Sequence, residues 1–559
     1  MTDILKTIFT NNKIFYAVIL LVMLVQVFPF GFGYVVISDD WFAYALLSTY
    51  TDNIAHAISF YGLYGFRPLA GILDLLLIAP LWPNLAPALL VITIMRFLFI
   101  LLLDNVLTRC DIAWGRAATI FFAFFPTLTE AAYWLNASTR IVSAGFFAML
   151  GVYAMFNYID KTSQSHRTQF YIYDKYNSSI DAHKNVWLAV ALFSGLVAQA
   201  FYEQGILFAF TITLGALLLR RHDIKSRLLY VWPFANLAII SAYYFWVSIS
   251  DVGHLTGRTT LNLNIFGRFI SVITTISWAF IREQAPTVIN TATWGIGLLL
   301  SQHTILTIIL AILSVILAFF VVHSPLTPTN KALSAAAAAV LAICTLTIYF
   351  ILEDNWVWVR NFYFALIGLA IFAEMLARLL LGNIPQKKPK VMQTVVILLA
   401  TPIIFVSLAG FTLEIISFRA VQNSDTQIVL NVLEKMDEWE IAENSEITVG
   451  LFAPPIAHEP QITPRITSLS GVDWAINAHI RGIIGSREHP WLQPIANGEQ
   501  LNLSTLNVDF LITLDENLDV QQLYFDGEHL FFADTDEPFG MIITTETGEN
   551  VFYMGFFGD

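Results

Sequence analysis

Long apolar runs separated by short polar stretches set the pattern of this chain from its first residues to about residue 413. Eleven runs have the composition of bilayer-spanning helices, which need about 20 apolar residues. They are 14–37, 85–108, 113–135, 138–159, 186–202, 204–221, 228–249, 301–322, 332–352, 357–380 and 391–413. Two further apolar pieces do not fit that template. Residues 69–82 are too short to span and are closed off by Pro80, Pro83 and Pro87, so they read as a juxtamembrane or re-entrant element. Residues 263–281 carry apolar positions at helical spacing with Arg268 among them, which suits a helix lying in the interface. Beyond these runs the period changes. Residues 425–439 put Ile428, Val432, Leu433, Met436 and Trp439 on one helical face. Short runs at 447–452, 508–514, 530–533, 541–545 and 551–556, bounded by Gly, Asn, Asp and Pro, read as strands. The expected architecture is an all-α polytopic membrane domain over 1–418, with about 11–13 spanning helices, followed by a small soluble α/β or α+β domain over 419–559.

Composition agrees with this pattern. The chain is 57% hydrophobic and only 13% charged, which places it among multi-spanning membrane proteins. The first apolar run is too long for a cleaved leader and lacks a small-residue cleavage site, so it is expected to act as an uncleaved anchor. Charge decides orientation. With a cytoplasmic N-terminus, the inner segments carry 17 Lys and Arg residues against six on the opposite side of the membrane part, which satisfies the positive-inside rule. An odd helix count then puts the C-terminus outside, in a multi-pass protein of the cell membrane. The tail 420–559 holds 23 acidic residues against Lys435, Arg465, Arg481 and Arg487, as expected of a solvated outer domain able to bind an unknown partner. No nucleic-acid partner is expected. Cys110 and Cys344 lie in or beside apolar runs, and no Cys/His spacing suggests a metal site.

Several polar clusters fall at the outer ends of the runs. Ser38-Asp39-Asp40-Trp41-Phe42 follows the first run. Paired carboxylates there are expected to sit where water, a cation or a reacting hydroxyl reaches them, and they suit Mg²⁺ or Mn²⁺. An ordinary solvated turn is the simpler alternative. Phe66-Arg67-Pro68-Leu69 offers a planar, permanently charged fork for a phosphate, although arginines also snorkel at membrane faces. Pro126-Thr127-Leu128-Thr129-Glu130 runs into Trp134, Asn136 and Arg140, and a Glu130–Arg140 structural pair is the plain reading of that stretch. Phe201-Tyr202-Glu203-Gln204-Gly205 and residues 353–363, which include Arg360 and Tyr363, mark two more outer junctions that could equally be interfacial caps. Asp74, Arg96, Asp104 and Glu374 read as helix-packing or snorkelling residues.

In this order the clusters resemble the C-type glycosyltransferase superfamily, multi-spanning enzymes that use polyprenyl-phosphate-linked sugars. The likeness spans about residues 14–413 and is closest to the membrane domain of O-mannosyltransferases that carry tetratricopeptide repeats. Their Tyr-Arg-Pro-Leu, Pro-x-x-Thr-Glu-Ala with a following Arg, Lys-Glu-Gln-Gly-Ile and Arg-x-x-Tyr patterns are similar to four stretches here. These are Phe66-Arg67-Pro68-Leu69, Pro126 to Ala131 with Arg140, Tyr202-Glu203-Gln204-Gly205-Ile206, and Arg360 to Tyr363. Here Arg140 falls later than in a tight match, Tyr202 replaces the Lys, and the tail has no tetratricopeptide period, so the sugar and the acceptor are not carried over.

The resemblance implies transfer of a sugar from a polyprenyl phosphate to an acceptor hydroxyl at the extracytoplasmic face. Asp40 is the expected base, and Asp39 orients it or holds a cation. Arg67, Arg140 and Arg360 are expected phosphate contacts, with Glu130, Glu203, Gln204 and Tyr363 shaping the donor pocket. Two other functions are open: a transporter or lipid flippase, and a catalytically silent scaffold whose acidic outer domain binds a partner.

Overall fold

The computed structural model describes residues 8–37, 39–48, 67–168, 177–224, 226–249, 264–324, 329–350, 357, 359–382, 389–454, 468–486, 488–501, 508–545 and 548–554. Ser38, Phe66, residues 353–356 and Trp358 of the predicted clusters lie outside them. The chain divides into two compact units. The first comprises Met1–Tyr34, Ala55–Leu77 and Asn84–Glu414; the second comprises Val35–Ile54, Ile78–Pro83 and Ile415–Asp559.

The first unit is helical. Among the described residues, five helices are long and apolar enough to cross a membrane: Ala86–Arg109, Leu135–Thr162, Leu228–Trp246, Thr304–Val322 and Gln393–Glu438. Shorter apolar helices stand at Asn12–Val27, Pro68–Leu81, Lys184–Gln199, Glu203–Leu219 and Lys331–Cys344. Their outward faces are apolar too. On Thr304–Val322, Ile305, Ile308, Ile312 and Val315 are exposed while Leu310, Ser314 and Leu317 are buried, a pattern stable only where the solvent is lipid. The protein is therefore a helical membrane protein with a small sheet domain.

Sequence chemistry sets the helix ends. Asn11 Oδ1 accepts from the amide of Lys13 (2.8 Å), capping Asn12–Val27. Asn330 Oδ1 does the same for Lys331–Cys344 through Leu333 N (3.0 Å). Pro87 sits in the first turn of Ala86–Arg109, where a missing N–H costs nothing.

Several predicted spans change. The run 14–37 is helical only to Val27, because Pro29, Gly31 (φ 97°) and Gly33 follow. The run 113–135 divides at Pro126 into Arg116–Phe124, a 3-10 turn Pro126–Leu128 and Thr129–Ala132, since proline cannot donate to the helix ladder. Residues 332–352 end as a helix at Cys344 and give way to a 3-10 turn Thr347–Phe350. In the run 357–380, a turn Val359–Phe362 precedes the helix Ala365–Gly382. The helix at 263–281 continues through π-helical turns as far as Gln302, so residues 282–300, which fall outside the predicted apolar runs, are helical. Residues 391–413 and 425–439 are one helix, Pro389–Glu438. No glycine or proline separates them, and the helix passes from the first unit to the second at Glu414.

Among the described residues of the second unit, an eight-stranded mixed sheet has the order β2-β1-β4-β5-β6-β7-β8-β3. The strands are β1 Thr448–Phe452, β2 Trp491–Ile495, β3 Gln500–Leu501, β4 Phe510–Leu514, β5 Val520–Phe525, β6 His529–Phe532, β7 Pro538–Thr544 and β8 Asn550–Met554. β1 runs parallel to β2 and β4, with Val449 opposite Leu492 and Phe510. The later neighbours are antiparallel. A parallel β1–β2 pair needs a crossover, which the helix Asp473–Ile484 supplies. Ile428, Val432 and Met436 of the long helix pack with Ile476 and Ile480 of the crossover helix against Val449, Leu451, Leu492 and Ile512. A second core gathers Phe452, Ile495, Leu523, Leu530, Ile542 and Phe552.

The five predicted strands are all present, and three others join them. β2 contains Pro494, which its edge position tolerates. β5 buries only Leu523 well, so its alternation is faint. The crossover helix did carry a legible signal: Ile476, Ile480 and Ile483 fall at helical spacing before Gly485, which closes the helix at φ 68°.

Candidate functional site

Backbone geometry brings two of the predicted clusters together in the first unit. Arg67 stands immediately before Pro68–Leu73, and the amide of Leu69 donates to Ala200 O (3.3 Å). This ties the Arg67 segment to the turn after Asn177–Gln199. Two residues on, Tyr202 is extended and Glu203 opens the next helix, where a carboxylate complements the helix dipole. Arg67 Nε donates to Glu203 Oε1 (2.8 Å), and its guanidinium lies 4.8 Å over the Tyr202 ring. Among the described residues neither Nη group of Arg67 makes a hydrogen bond, and its side chain is 38% exposed.

Tyr202 and Gln204 carry the network onward. Asn361 Nδ2 donates to the Tyr202 hydroxyl (2.7 Å), while Gln204 Nε2 donates to Asn361 O (2.9 Å) and to the Tyr349 hydroxyl (3.2 Å). The preceding residue, Arg360, gives Nη1 to Glu130 Oε1 (2.9 Å) and its amide to Glu130 Oε2 (3.3 Å), with its guanidinium 4.9 Å over Trp134. Stretches around 67, 130, 202 and 360, scattered through the sequence, thus form one connected polar network. A close helix contact supports it. A Cβ added at Gly205 would stand 2.6 Å from Ala144 Cβ and 3.2 Å from Ala198 O, so only glycine lets Tyr202-Glu203-Gln204 settle here.

The pairing differs from the predicted Glu130–Arg140 pair. Arg140 Nη2 instead bonds Asp74 Oδ2 (2.8 Å), 66 residues away, and its Nη1 bonds Asn136 O. Asp74 and Glu130 are each almost fully buried. Truncating one partner of such a pair typically costs about 3–5 kcal/mol, because the other charge stays buried. Tyr363 is a core residue. It is fully buried against Phe99, Phe122 and Phe364 with its hydroxyl beside Arg96, which removes it from a sugar pocket in this state. Gln204 is likewise buried. Tyr349 is the partner that sequence reading missed, and the pairings of Asp74, Trp134 and Asn361 were not foreseen, because local spacing holds no signal for contacts at such separations.

Asp39 and Asp40 belong to the second unit. They open a helical turn that continues as the π-helix Trp41–Leu46. Asp40 is fully buried, and its Oδ2 accepts from Ile37 N (3.3 Å). Asp39 is half-buried. Asp40 therefore departs from the expectation that both carboxylates meet solvent. Asp40 turns back to satisfy its own loop, as buried carboxylates must.

Among the described residues no group of three or more His, Cys, Asp and Glu side chains could hold a metal ion. The first unit also contains an apolar cavity of about 220 Å³ lined by Ala117, Phe121, Ala373, Ala377, Leu399 and Ile403. It presents no charged group for a phosphate. Compared with protein-family models, curated proteins and solved structures, the chain matches none.

Proposed function

We propose that the protein is a membrane glycosyltransferase that moves a sugar from a polyprenyl phosphate to an acceptor hydroxyl on the extracytoplasmic side. The observation that carries this reading is Arg67. It is held by Nε on Glu203 and stacked on Tyr202, with both Nη groups unused among the described residues. That is a preorganised fork for a phosphate oxygen. Arg140 and Arg360 hold buried carboxylates, so their role is to shape the network rather than to meet the donor directly.

Burial reverses the expected roles of the acid pair. In this reading Asp39, half-buried where Asp40 is fully buried, takes the acceptor proton as the hydroxyl oxygen bonds to the anomeric carbon. The bond from that carbon to the phosphate oxygen breaks, and the lipid phosphate leaves with the electron pair. General-base assistance of this kind contributes about 10²–10⁴-fold, and fixed positive charge stabilises the departing phosphate. Asp40 keeps the turn in shape.

The experiment measures binding of a polyprenyl phosphate to the full chain in nanodiscs by native mass spectrometry. Arg67→Ala should weaken binding about tenfold, whereas Asp39→Asn should leave it intact and lower transfer by about 10²-fold or more. Equal binding by wild type and Arg67→Ala would remove the donor site. It would favour the second reading, a scaffold, for which the closed Arg140–Asp74 and Arg360–Glu130 pairs already speak.

A further inference from the structure

The second unit joins residues 35–48 to a domain that begins nearly 400 residues later, and the contact is specific. Trp41 is almost fully buried, with its ring stacked on His479 at 3.7 Å and an interplanar angle of 21°. Trp82 meets its edge at 5.0 Å. One turn beyond His479, Gly482 lets the two helices touch. A Cβ there would lie 2.7 Å from Ala45 Cβ and 2.9 Å from the Trp41 ring. Tyr44 and Ala45 are fully buried beside it.

His479 is itself held from both sides. Its Nε2 lies 3.3 Å from the Thr426 hydroxyl on the long helix. Two residues earlier, Asn477 pairs with the edge strand as a peptide group would, Nδ2 donating to Leu492 O (2.7 Å) and Oδ1 accepting from Leu492 N (2.9 Å). Ile476 and Ile480 anchor the same helix in the sheet core. A continuous chain of fixed contacts therefore runs from the sheet through Asn477 to His479 and Gly482, and on to Trp41, which adjoins Asp40.

We propose that the C-terminal domain is the positioning device for the acid pair: the His479–Trp41 stack and the Gly482–Ala45 contact hold the turn that presents Asp39. His479 and Gly482 are positioning residues, since neither meets substrate. The inference rests on the glycosyl-transfer reading for its consequence, but not for the contact itself. It makes the domain part of the catalytic apparatus rather than an appendage.

Two measurements on the full chain in nanodiscs test it separately. Amide hydrogen exchange across 39–48 reports the clamp without any donor. His479→Ala and Gly482→Leu should each speed exchange there about tenfold, and His479→Phe, which keeps a stacking ring, should restore protection. Unchanged exchange in both disruptive variants overturns the proposal, whatever transfer does. Transfer from a polyprenyl-phosphate mannose probe reports the consequence: kcat should fall about tenfold in His479→Ala with KM unchanged, and recover in His479→Phe. Loosened exchange with unaltered kcat, while Asp39→Asn abolishes turnover, also overturns it. If instead Asp39→Asn has no effect on turnover, the base assignment fails and with it the catalytic consequence; if neither this probe nor other polyprenyl-phosphate sugars are turned over, the enzyme reading fails, and exchange alone decides whether the clamp exists.

Discussion

At the scale of single residues, His479 has a measurable consequence. Burial pushes its imidazole down to about 3, well below the ordinary value near 6.5, because a charged ring stacked on Trp41 would lose its water. In the unfolded chain the ring takes a proton as pH falls below about 6.5, whereas in the folded chain it refuses one until about pH 3. The domain's stability is therefore full above neutrality and declines as pH falls through that window, by about 1.4 kcal/mol per pH unit. Thermal unfolding of the full chain followed between pH 7.5 and 5 should show this slope, and His479→Phe should flatten it. An unchanged slope would mean that other groups dominate. The same scale separates the arginines. Arg67 is partly exposed and, among the described residues, uses one side-chain nitrogen, whereas Arg140 and Arg360 serve buried acids, so three residues that look alike in sequence have different work.

At the scale of elements, close approach of helices does what apolar periodicity alone cannot. Gly205 and Gly215 lie on the same helix, Glu203–Leu219. Gly205 abuts Ala144, whereas nothing lies within 4 Å of a Cβ at Gly215. Gly205→Leu should cost about 1–3 kcal/mol by overpacking, seen as a lower thermal midpoint in detergent, and should weaken polyprenyl phosphate binding through Glu203. Gly215→Leu should leave both almost unchanged; similar losses in the two variants would contradict the contact. The helix Pro389–Glu438 is the other informative element. At about 1.5 Å per residue it is roughly 75 Å long, far longer than a bilayer core. It serves two solvents in turn: Leu398, Leu399 and Ile403 are exposed early in it, and Ile428, Val432 and Met436 are buried late.

At the scale of the whole molecule, we propose an outside C-terminus from the basic asymmetry and the acidic tail. A reporter fused after Asp559 should be active only when exported; cytoplasmic activity would invert the assignment of every outer cluster. The acidic tail is then repelled by anionic lipid headgroups, which suits a solvated sheet domain.

The sequence by itself determined the class of the protein, most of its helical runs, five strands and the apolar face of the 425–438 helix. These depend on local composition and on periods of 3.6 and 2 that any window of the chain carries. It also marked the stretches around Arg67, Glu130, Tyr202 and Arg360 whose polar groups the fold joins. Only the tertiary structure decided which charge neutralises which. Arg140 meets Asp74 across 66 residues, Arg67 meets Glu203 across 136, and Arg360 meets Glu130 across 230. It alone also assigned Trp41 to the fold of the C-terminal domain through His479. A side chain's partner is fixed by which groups are buried together when distant segments pack, and burial makes the correct pairing strongly preferred over its rivals; no local pattern records that outcome.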